Sequence, residues 1–370
     1  MTTTRPLTPS ALIDVPALTQ HICTVHDIRD EQDAVIATIT PLIDSALLFK
    51  SVQARARAIG FTTWMRRNPQ THAMELVFTA GVAPAVATRP LLALVLFLAT
   101  VLSCLAAGAL YQGIDIVAHP GQIWAGIPFA ATIIGILATH ELGHYVVGRW
   151  WGAPVSLPYF LPLPPPLSFT GTMGAVIVQR EPMSDRRVLF DVGVAGPIAG
   201  LIVAVPLLFY GLSQSVVAAP PAGGYMQEGN SALYLIAKLA VFGQILPANN
   251  LDVQLSDVAF AAWIGLLVTM FNLLPIGQLD GGHVAYAAIG RYANYLAYAT
   301  IAFCVLLGVF VDNTWLVWGV IATFANPRHP APYDDITTIG GWRMLLACGM
   351  IIVLLFLLTP VPIRFVMPNG

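Results

Sequence analysis

Several stretches of 20 or more residues contain no Asp, Glu, Lys or Arg, and six of them limit the possible folds more than any other feature. They cover 90–114, 116–140, 192–227, 258–279, 292–311 and 344–363. A helix needs about 20 apolar residues to cross the hydrocarbon core of a bilayer. The composition agrees, since 57% of the residues are hydrophobic and 10% are charged, whereas soluble domains have roughly 25% charged residues. The sequence therefore predicts a polytopic α-helical membrane protein.

The charged residues are concentrated near the N-terminus, where residues 1–89 hold 15 of the 36. We predict a small soluble α/β domain over residues 1–88 and a transmembrane domain over 89–370. Within the first, alternating apolar and β-branched residues predict strands at 34–40, 61–66 and 73–81 and a helix at 51–60. The predicted fold class is thus a bundle of about six to seven transmembrane helices behind a small α/β domain.

The distribution of basic residues predicts how the spans are oriented. We expect membrane segments at 90–111, 122–149, 187–212, 257–275, 292–311, 313–325 and 343–363. Arginines are frequent before the first segment and absent from the turn after it, at 112–121. The positive-inside rule therefore places the N-terminal domain in the cytoplasm. A further apolar stretch, 231–247, is short and is interrupted by Lys238, so we interpret it as an interfacial or re-entrant helix.

Several classes of function and processing are not indicated by this sequence. The four cysteines have neither metal-site nor redox spacing, which is typical of buried or free thiols. The net charge of −2 gives no reason to expect nucleic acid as a partner. The first residues, MTTTRPLTPS, lack the apolar region of a signal peptide, so we expect no cleaved one.

Three ionisable residues lie close together inside an apolar segment. His140, Glu141 and His144 form the pattern H-E-x-x-H within LATHELGHYV. On a helix, residues four apart share a face, so both imidazoles can bind one metal ion while Glu141 takes a proton from water. Zinc would lower the pKa of that water to about 7. Ionisable residues inside a membrane are costly, which favours a functional site over a pair of core histidines.

A hydrolytic zinc site needs a third protein ligand and an open fourth position. The two glutamates downstream of the motif lie in predicted loops. Asp280 is the one acid between 258 and 311 and belongs to NLLPIGQLDGGH (272–283). It lies at the same membrane depth as His144 if the preceding outer loop does not cross the bilayer. We expect Asp280 to be the third ligand, with His283 as the alternative.

Other residues around these motifs have predicted supporting roles. Asn272 is a candidate donor to the oxyanion of a tetrahedral intermediate. Alternatively, its side chain forms a hydrogen bond between helices. Gly281 and Gly282 would let the backbone turn so that the Asp280 carboxylate faces the metal. The stretch GVAGPIAG (193–200) supplies small residues for close helix packing.

The segment 154–180 contains prolines that forbid a regular helix, and GAVIVQ (174–179) within it is β-branched and strand-like. At membrane depth such a segment must be buried in protein or line a cavity. An exposed strand edge here could pair with an unwound substrate, or the segment could be a plug that seals the site from lipid. Proline at Val176 or Val178 is expected to remove a backbone donor, which would impair strand pairing with the substrate and so distinguish it from a plug.

The motifs HELGH (140–144), FTGTMGAVI (169–177), DVGVAGPIAG (191–200) and NLLPIGQLDGGH together resemble the site-2 protease family of intramembrane zinc metalloproteases. The resemblance covers roughly 90–360 and is strongest to the bacterial and chloroplast branch without a PDZ domain. It implies hydrolysis of peptide bonds within or next to transmembrane segments of membrane-protein substrates. It also implies one Zn²⁺ per chain, bound by His140, His144 and Asp280, with Glu141 as general base and Asn272 assisting.

The same resemblance suggests a multi-pass protein of a bacterial inner membrane, with the lipid bilayer and transmembrane substrates as its partners. Two other functions compete with this interpretation. A zinc-binding transporter would need polar residues along a whole path across the bilayer, and the spans outside the two motif segments contain few. A non-catalytic, chaperone-like relative is the second alternative.

Overall fold

The computed structural model describes residues 13–31, 33–82, 88–179, 181–221, 223–324 and 326–366. Its helices are α1 (Val15–Thr19), α2 (Ser45–Ala58), α3 (Pro90–Tyr111), α4 (Ile127–Trp150), α5 (Arg186–Ser213), α6 (Ala232–Phe242), α7 (Asp257–Asn272), α8 (Asp280–Ile289), α9 (Ala293–Phe310), α10 (Thr314–Phe324) and α11 (Gly341–Leu357). Its strands are β1 (Cys23–Glu31), β2 (Ala34–Pro41), β3 (Phe61–Arg67), β4 (Met74–Ala80), β5 (Tyr159–Pro162), β6 (Thr172–Val176), β7 (Val216–Ala218), β8 (Tyr225–Glu228), β9 (Asp252–Gln254) and β10 (Ile363–Val366).

The N-terminal region contains an antiparallel sheet with strand order β1-β2-β4-β3, whose core is closed by α1 and α2. The three predicted strands correspond to β2, β3 and β4. Helix α2 begins six residues before the predicted start, because the Asp44 carboxylate caps it by accepting from two backbone N–H groups. Strand β1 was not predicted. It is a largely exposed edge strand rich in charge, so it lacks the apolar alternation of a half-buried strand. Residues 1–12 and 83–87 of the predicted domain lie outside the described residues.

A short strap, residues 333–335, joins this sheet to the membrane helices. On one side, Met65 at the sheet edge donates its N–H to the Tyr333 carbonyl over 2.7 Å and accepts from Asp335 N–H over 3.0 Å. On the other side, Tyr333 N–H donates to the Met183 carbonyl just before α5. Arg57 of α2 also pairs with Glu181, with 2.6 Å between Nη2 and Oε2. The N-terminal sheet is therefore fixed to the loop that leads into α5.

Four helical stretches are long and apolar enough to cross a membrane: Pro90–Tyr111, Pro120–Trp150, Arg186–Ser213 and Asp280–Phe310. The prediction of a helical membrane protein with an N-terminal α/β region is confirmed. Helices α7 and α11 are apolar but have 16 and 17 residues, and α10 has 11. Helix α6 also has 11 residues, a rise of about 16 Å, which is roughly half the hydrocarbon thickness.

Helix α5 lies at the centre of the bundle and packs against α4, α7 and α8. The backbones of α4 and α5 come unusually close, since a methyl group placed on Gly143 would lie 2.6 Å from the Ala195 carbonyl oxygen. Small residues permit such close helix contacts, as the GVAGPIAG stretch predicts. The approach brings the HELGH face of α4 directly against α5.

The proline-rich segment forms a β-hairpin of β5 and β6 that follows α3 along most of its length. Tyr159 Oη accepts from the Arg89 N–H at the start of α3, and Tyr111 Oη donates to the Phe169 carbonyl at its end, over 2.5 Å. Strand β6 ends at Val176, three residues short of the predicted strand end. The hairpin thus reaches from the level of the HELGH motif to the opposite end of the bundle.

Candidate metal centre

Two imidazoles of α4 face each other at the centre of the bundle. His140 and His144 lie one helical turn apart, and their Nε2 atoms are 3.2 Å apart. His140 is 5% exposed, and the His144 side chain is 12% exposed. The i, i+4 spacing on a helix therefore produces the pair that the sequence predicts.

Asp280, at the first residue of α8, completes the cluster. Its Oδ2 lies 3.1 Å from His140 Nε2, and its Oδ1 lies 3.2 Å from His144 Nε2. The turn between α7 and α8 is tight, because a methyl group on Gly281 would lie 2.0 Å from the Leu273 carbonyl oxygen. Gly281 has no positive φ angle, so the reason for glycine is this close approach and not the backbone freedom that the sequence suggested.

The donor set fits a metal ion better than a hydrogen-bonded cluster. The Nδ1 of His144 is 2.7 Å from the Val192 carbonyl, so it donates there and leaves the Nε2 lone pair facing the cluster. Asp280 Oδ2 is buried and has no hydrogen-bond partner of suitable geometry, despite its proximity to His140. Tetrahedral zinc with bonds of about 2.0–2.1 Å separates its ligand atoms by roughly 3.3 Å, close to the spacing here.

A cavity of about 240 Å³ adjoins the cluster. It is lined by His140, His144, Asp280, Glu141, Asn272 and residues 175–177. The five residues that the sequence singles out are thus brought together in one place. Gln179, the last residue of the GAVIVQ stretch, also lines it. Met183 and Gln278 line it too and were not singled out by the sequence, although Gln278 lies within the NLLPIGQLDGGH motif. The cavity offers room for a peptide bond beside a carboxylate and a polar amide.

The glycines of α5 contact the imidazoles themselves. A methyl group on Gly196 would lie 2.1 Å from His144 Nε2, and one on Gly200 would lie 3.2 Å from His140 Nδ1. The sequence indicates a packing role for this stretch, and the structure shows that the packing is against the two histidines. Gly196 leaves the space in which His144 meets Asp280.

His283, the alternative third ligand, points to a different partner. Its Nδ1 lies 2.6 Å from His329 Nε2, while His329 Nδ1 lies 2.6 Å from the Pro330 carbonyl. Because Nδ1 of His329 must donate to that carbonyl, its Nε2 accepts and His283 Nδ1 donates. Among the described residues, the cluster with metal-ligand geometry consists of His140, His144 and Asp280.

Comparison with known families shows which proteins this part of the chain resembles. The model of peptidase family M50 matches residues 128–308, which contain both the HELGH helix and the turn with Asp280. This segment is a peptidase family M50 domain. The resemblance to the site-2 protease family is thereby confirmed, and all five candidate residues lie inside the matched range.

Curated relatives of this M50 domain carry the names of zinc metalloproteases. The chain is 31% identical over 249 residues to "Probable zinc metalloprotease EGY1, chloroplastic" of Arabidopsis thaliana, which covers 64% of this chain and 43% of the relative. It is 30% identical over 249 residues to "Probable zinc metalloprotease EGY2, chloroplastic" of the same plant, covering 65% and 42%. The chain therefore spans less than half the length of these relatives. No solved structure matches it. The donor set and the relatives together indicate one zinc ion as cofactor.

Proposed function

We propose that the protein is an intramembrane zinc metalloendopeptidase, which hydrolyses peptide bonds within or next to transmembrane segments of membrane-protein substrates. The observation that carries the proposal is the location of the donor set and Glu141, inside the bundle and between helices of membrane-spanning length. A binding site for zinc alone would not need a carboxylate beside the ligands at the wall of an open cavity.

In this proposal His140, His144 and Asp280 hold the metal, which supplies Lewis acidity for water and for the peptide carbonyl. Glu141 takes the proton from the attacking water and returns it to the departing amide nitrogen. The Asn272 side chain donates to the carbonyl oxygen as negative charge develops on it. Asn272 suits this role because it lines the same cavity as Glu141.

The proposal also includes the membrane topology of the chain. We infer about six to seven spans in a bacterial inner membrane, a separate domain over residues 1–88 and a cytoplasmic N-terminus. The arginines before α3 support this orientation. A cytoplasmic N-terminal sheet then lies beside the entrance to the metal centre, because the strap at 333–335 fixes it to Met183, which lines the cavity.

The direct test compares the native host carrying wild-type protein with the same host carrying Glu141→Gln. Glutamine keeps the size of the side chain but cannot take a proton, so hydrolysis should slow by about 10²–10⁴-fold while the fold remains. We expect specific full-length membrane proteins to accumulate in the variant, as measured by quantitative proteomics of the membrane fraction. An unchanged membrane proteome would speak against proteolysis and favour a transporter or a non-catalytic relative.

The position of the β5–β6 hairpin supports strand pairing as the way in which the protein holds its substrate. Ala175 and Val176 at the end of β6 and Ile177 just after it all line the metal cavity, although successive side chains of an extended chain point to opposite faces. The cavity therefore runs along the edge of the strand. Val178 N–H donates to Ser156 Oγ and its carbonyl accepts from Ser156 N–H, so these groups point back towards the β5 side. The bridge between Val155 and Gln179 continues the pairing beyond β6, so by alternation we expect the backbone groups of Ala175 and Ile177 to point towards the cavity.

This geometry selects Ile177→Pro as the test of strand pairing. Val178, one of the two positions that the sequence suggests, already uses its N–H inside the hairpin, so proline there would damage the hairpin itself. Ile177→Pro is expected to slow cleavage of a helical substrate by about tenfold or more, because a freed backbone group in lipid costs several kcal/mol. A substrate loosened by glycine near the cleaved bond should lose much less.

Ile177→Ala is the matched control, because it shortens the side chain and keeps the backbone donor. Cleavage rates of both substrates are compared at equal zinc content. Equal losses on the helical and the loosened substrate would show that the hairpin is a plug that seals the site.

A further inference from the structure

Two short β-ribbons lie at the end of the bundle opposite the metal centre. β8 pairs antiparallel with β10, and β7 pairs antiparallel with β9. Within the described part of the chain, β8 and β9 have no further strand partner, so each has one edge outside its ribbon. Unpaired strand edges present backbone donors and acceptors to any extended chain that fits beside them.

A cavity of about 350 Å³ separates these ribbons. It is lined by every residue of β8, Tyr225 to Glu228, and by four consecutive residues from Asp252 to Leu255. Because side chains alternate along a strand, a cavity that meets every residue runs along the strand's edge. The gap therefore faces the edges of both β8 and β9.

The ribbons are pinned together at one end of this gap. Gln227 Nε2 donates to Asp252 Oδ2 over 2.9 Å. Lys238 of α6 is fully buried and lies 3.4 Å from both Glu228 Oε1 and Asp252 Oδ1. These contacts hold the two edges in place before any ligand arrives, which lowers the ordering cost of binding.

The walls of the cavity favour a cationic side chain. Three carboxylates line it, from Glu228, Asp252 and Asp257, and Lys238 is shared by the first two. Asp257 accepts from the Gln112 side-chain amide, which carries no charge to balance it. Tyr111 adds an aromatic ring to the wall, and aromatic rings attract ammonium and guanidinium groups.

This cavity and the metal centre lie at the two ends of the same elements. Asp257 begins α7 beside the ribbons, and Asn272 ends it in the metal cavity, a rise of about 22 Å. The hairpin whose strand β6 borders the metal cavity also reaches Tyr111, through the bond from Tyr111 Oη to the Phe169 carbonyl. A transmembrane segment lying along α7 would reach both sites.

We propose that the gap between β8 and β9 binds an extended, basic segment that flanks a substrate's transmembrane helix on the side opposite the metal centre. The segment adds a strand between the two ribbons and places a Lys or Arg near Asp257. This inference rests on the proposed function. It implies that the protein recognises a substrate by a basic segment that lies about 15 helical residues from the cleaved bond.

The test measures binding to purified full-length Glu141→Gln protein in detergent, so that no cleavage is needed. The probe is a synthetic peptide with one apolar helix and a Lys-Val-Lys-Val flank, and its partner carries Glu-Val-Glu-Val instead. We expect the basic peptide to bind at least about tenfold more tightly, a difference of about 1.4 kcal/mol. Adding Asp257→Asn should remove most of this preference, whereas Asp115→Asn, an acid outside the cavity wall on the same side, should not.

A third peptide carries the basic flank with alternate backbone nitrogens methylated, which removes strand donors and keeps the charge. Strand addition predicts that it binds about tenfold more weakly than its parent. Equal binding of basic and acidic peptides would overturn the proposal, as would full binding of the methylated one. A protein that binds the basic peptide but hydrolyses nothing in its wild-type form would instead contradict the proposed function alone.

Discussion

Asp280→Ala is expected to reduce the zinc content of the purified protein from about one ion per chain to below about 0.2, because two imidazoles alone make an incomplete site. The two oxygens of Asp280 face both histidines at 3.1–3.2 Å, and no other carboxylate joins their cluster among the described residues. Zinc is measured by mass spectrometry of the metal after purification without added chelator. Proteolysis should be lost in parallel.

His283→Ala is the matched control, because His283 is directed to His329 and not to the donor set. This variant should keep nearly all of its zinc. The opposite pattern, with zinc retained by Asp280→Ala and lost by His283→Ala, would make His283 the third ligand.

Gly196→Ala is expected to displace His144 from the donor set. The added methyl group would lie 2.1 Å from His144 Nε2, far inside van der Waals contact, so either the ring must rotate or α4 and α5 must separate. Overpacking of this kind costs about 1–3 kcal/mol in stability. We expect zinc content to fall by more than about half and thermal unfolding to occur at lower temperature.

Two further glycines make a graded series with Gly196. A methyl group on Gly200 would approach His140 to 3.2 Å, so Gly200→Ala should have a smaller effect. Gly135 of α4 has no atom within 4 Å of an added methyl group, so Gly135→Ala should bind zinc like the wild type. If all three variants bound zinc equally, the close packing of α5 on the imidazoles would be unnecessary for the site.

The parts of the site that the sequence predicts are those set by local geometry. The pairing of His140 and His144 follows from helical spacing alone. The position of Asp280 follows from counting spans, because the number of crossings decides the depth at which the acid lies. The predicted segments 90–111 and 187–212 likewise begin within one residue of α3 and α5, since membrane insertion depends mainly on apolar length.

The parts that the sequence does not predict depend on contacts between distant segments. Nothing local in Gly196 distinguishes it from its neighbouring small residues, and only the packing of α4 on α5 reveals the contact with His144. The strap at 333–335 pairs with Met65 and Met183, far away in sequence. Strand β1 carries charges along an exposed edge and shows no periodic apolar pattern.

The central claim is that the peptide bond is cut inside the membrane by Glu141 and a metal ion, and the positions of the product termini test it most directly. A membrane protein that accumulates in the Glu141→Gln host is reconstituted in lipid vesicles with purified wild-type protein, and the new termini are identified by mass spectrometry. We predict termini within or next to the apolar span of the substrate. Removing zinc with a chelator should abolish them, restoring zinc should recover them, and Glu141→Gln should lower the rate by about 10²–10⁴-fold. Termini confined to hydrophilic loops, or a rate unchanged by Glu141→Gln, would contradict the claim.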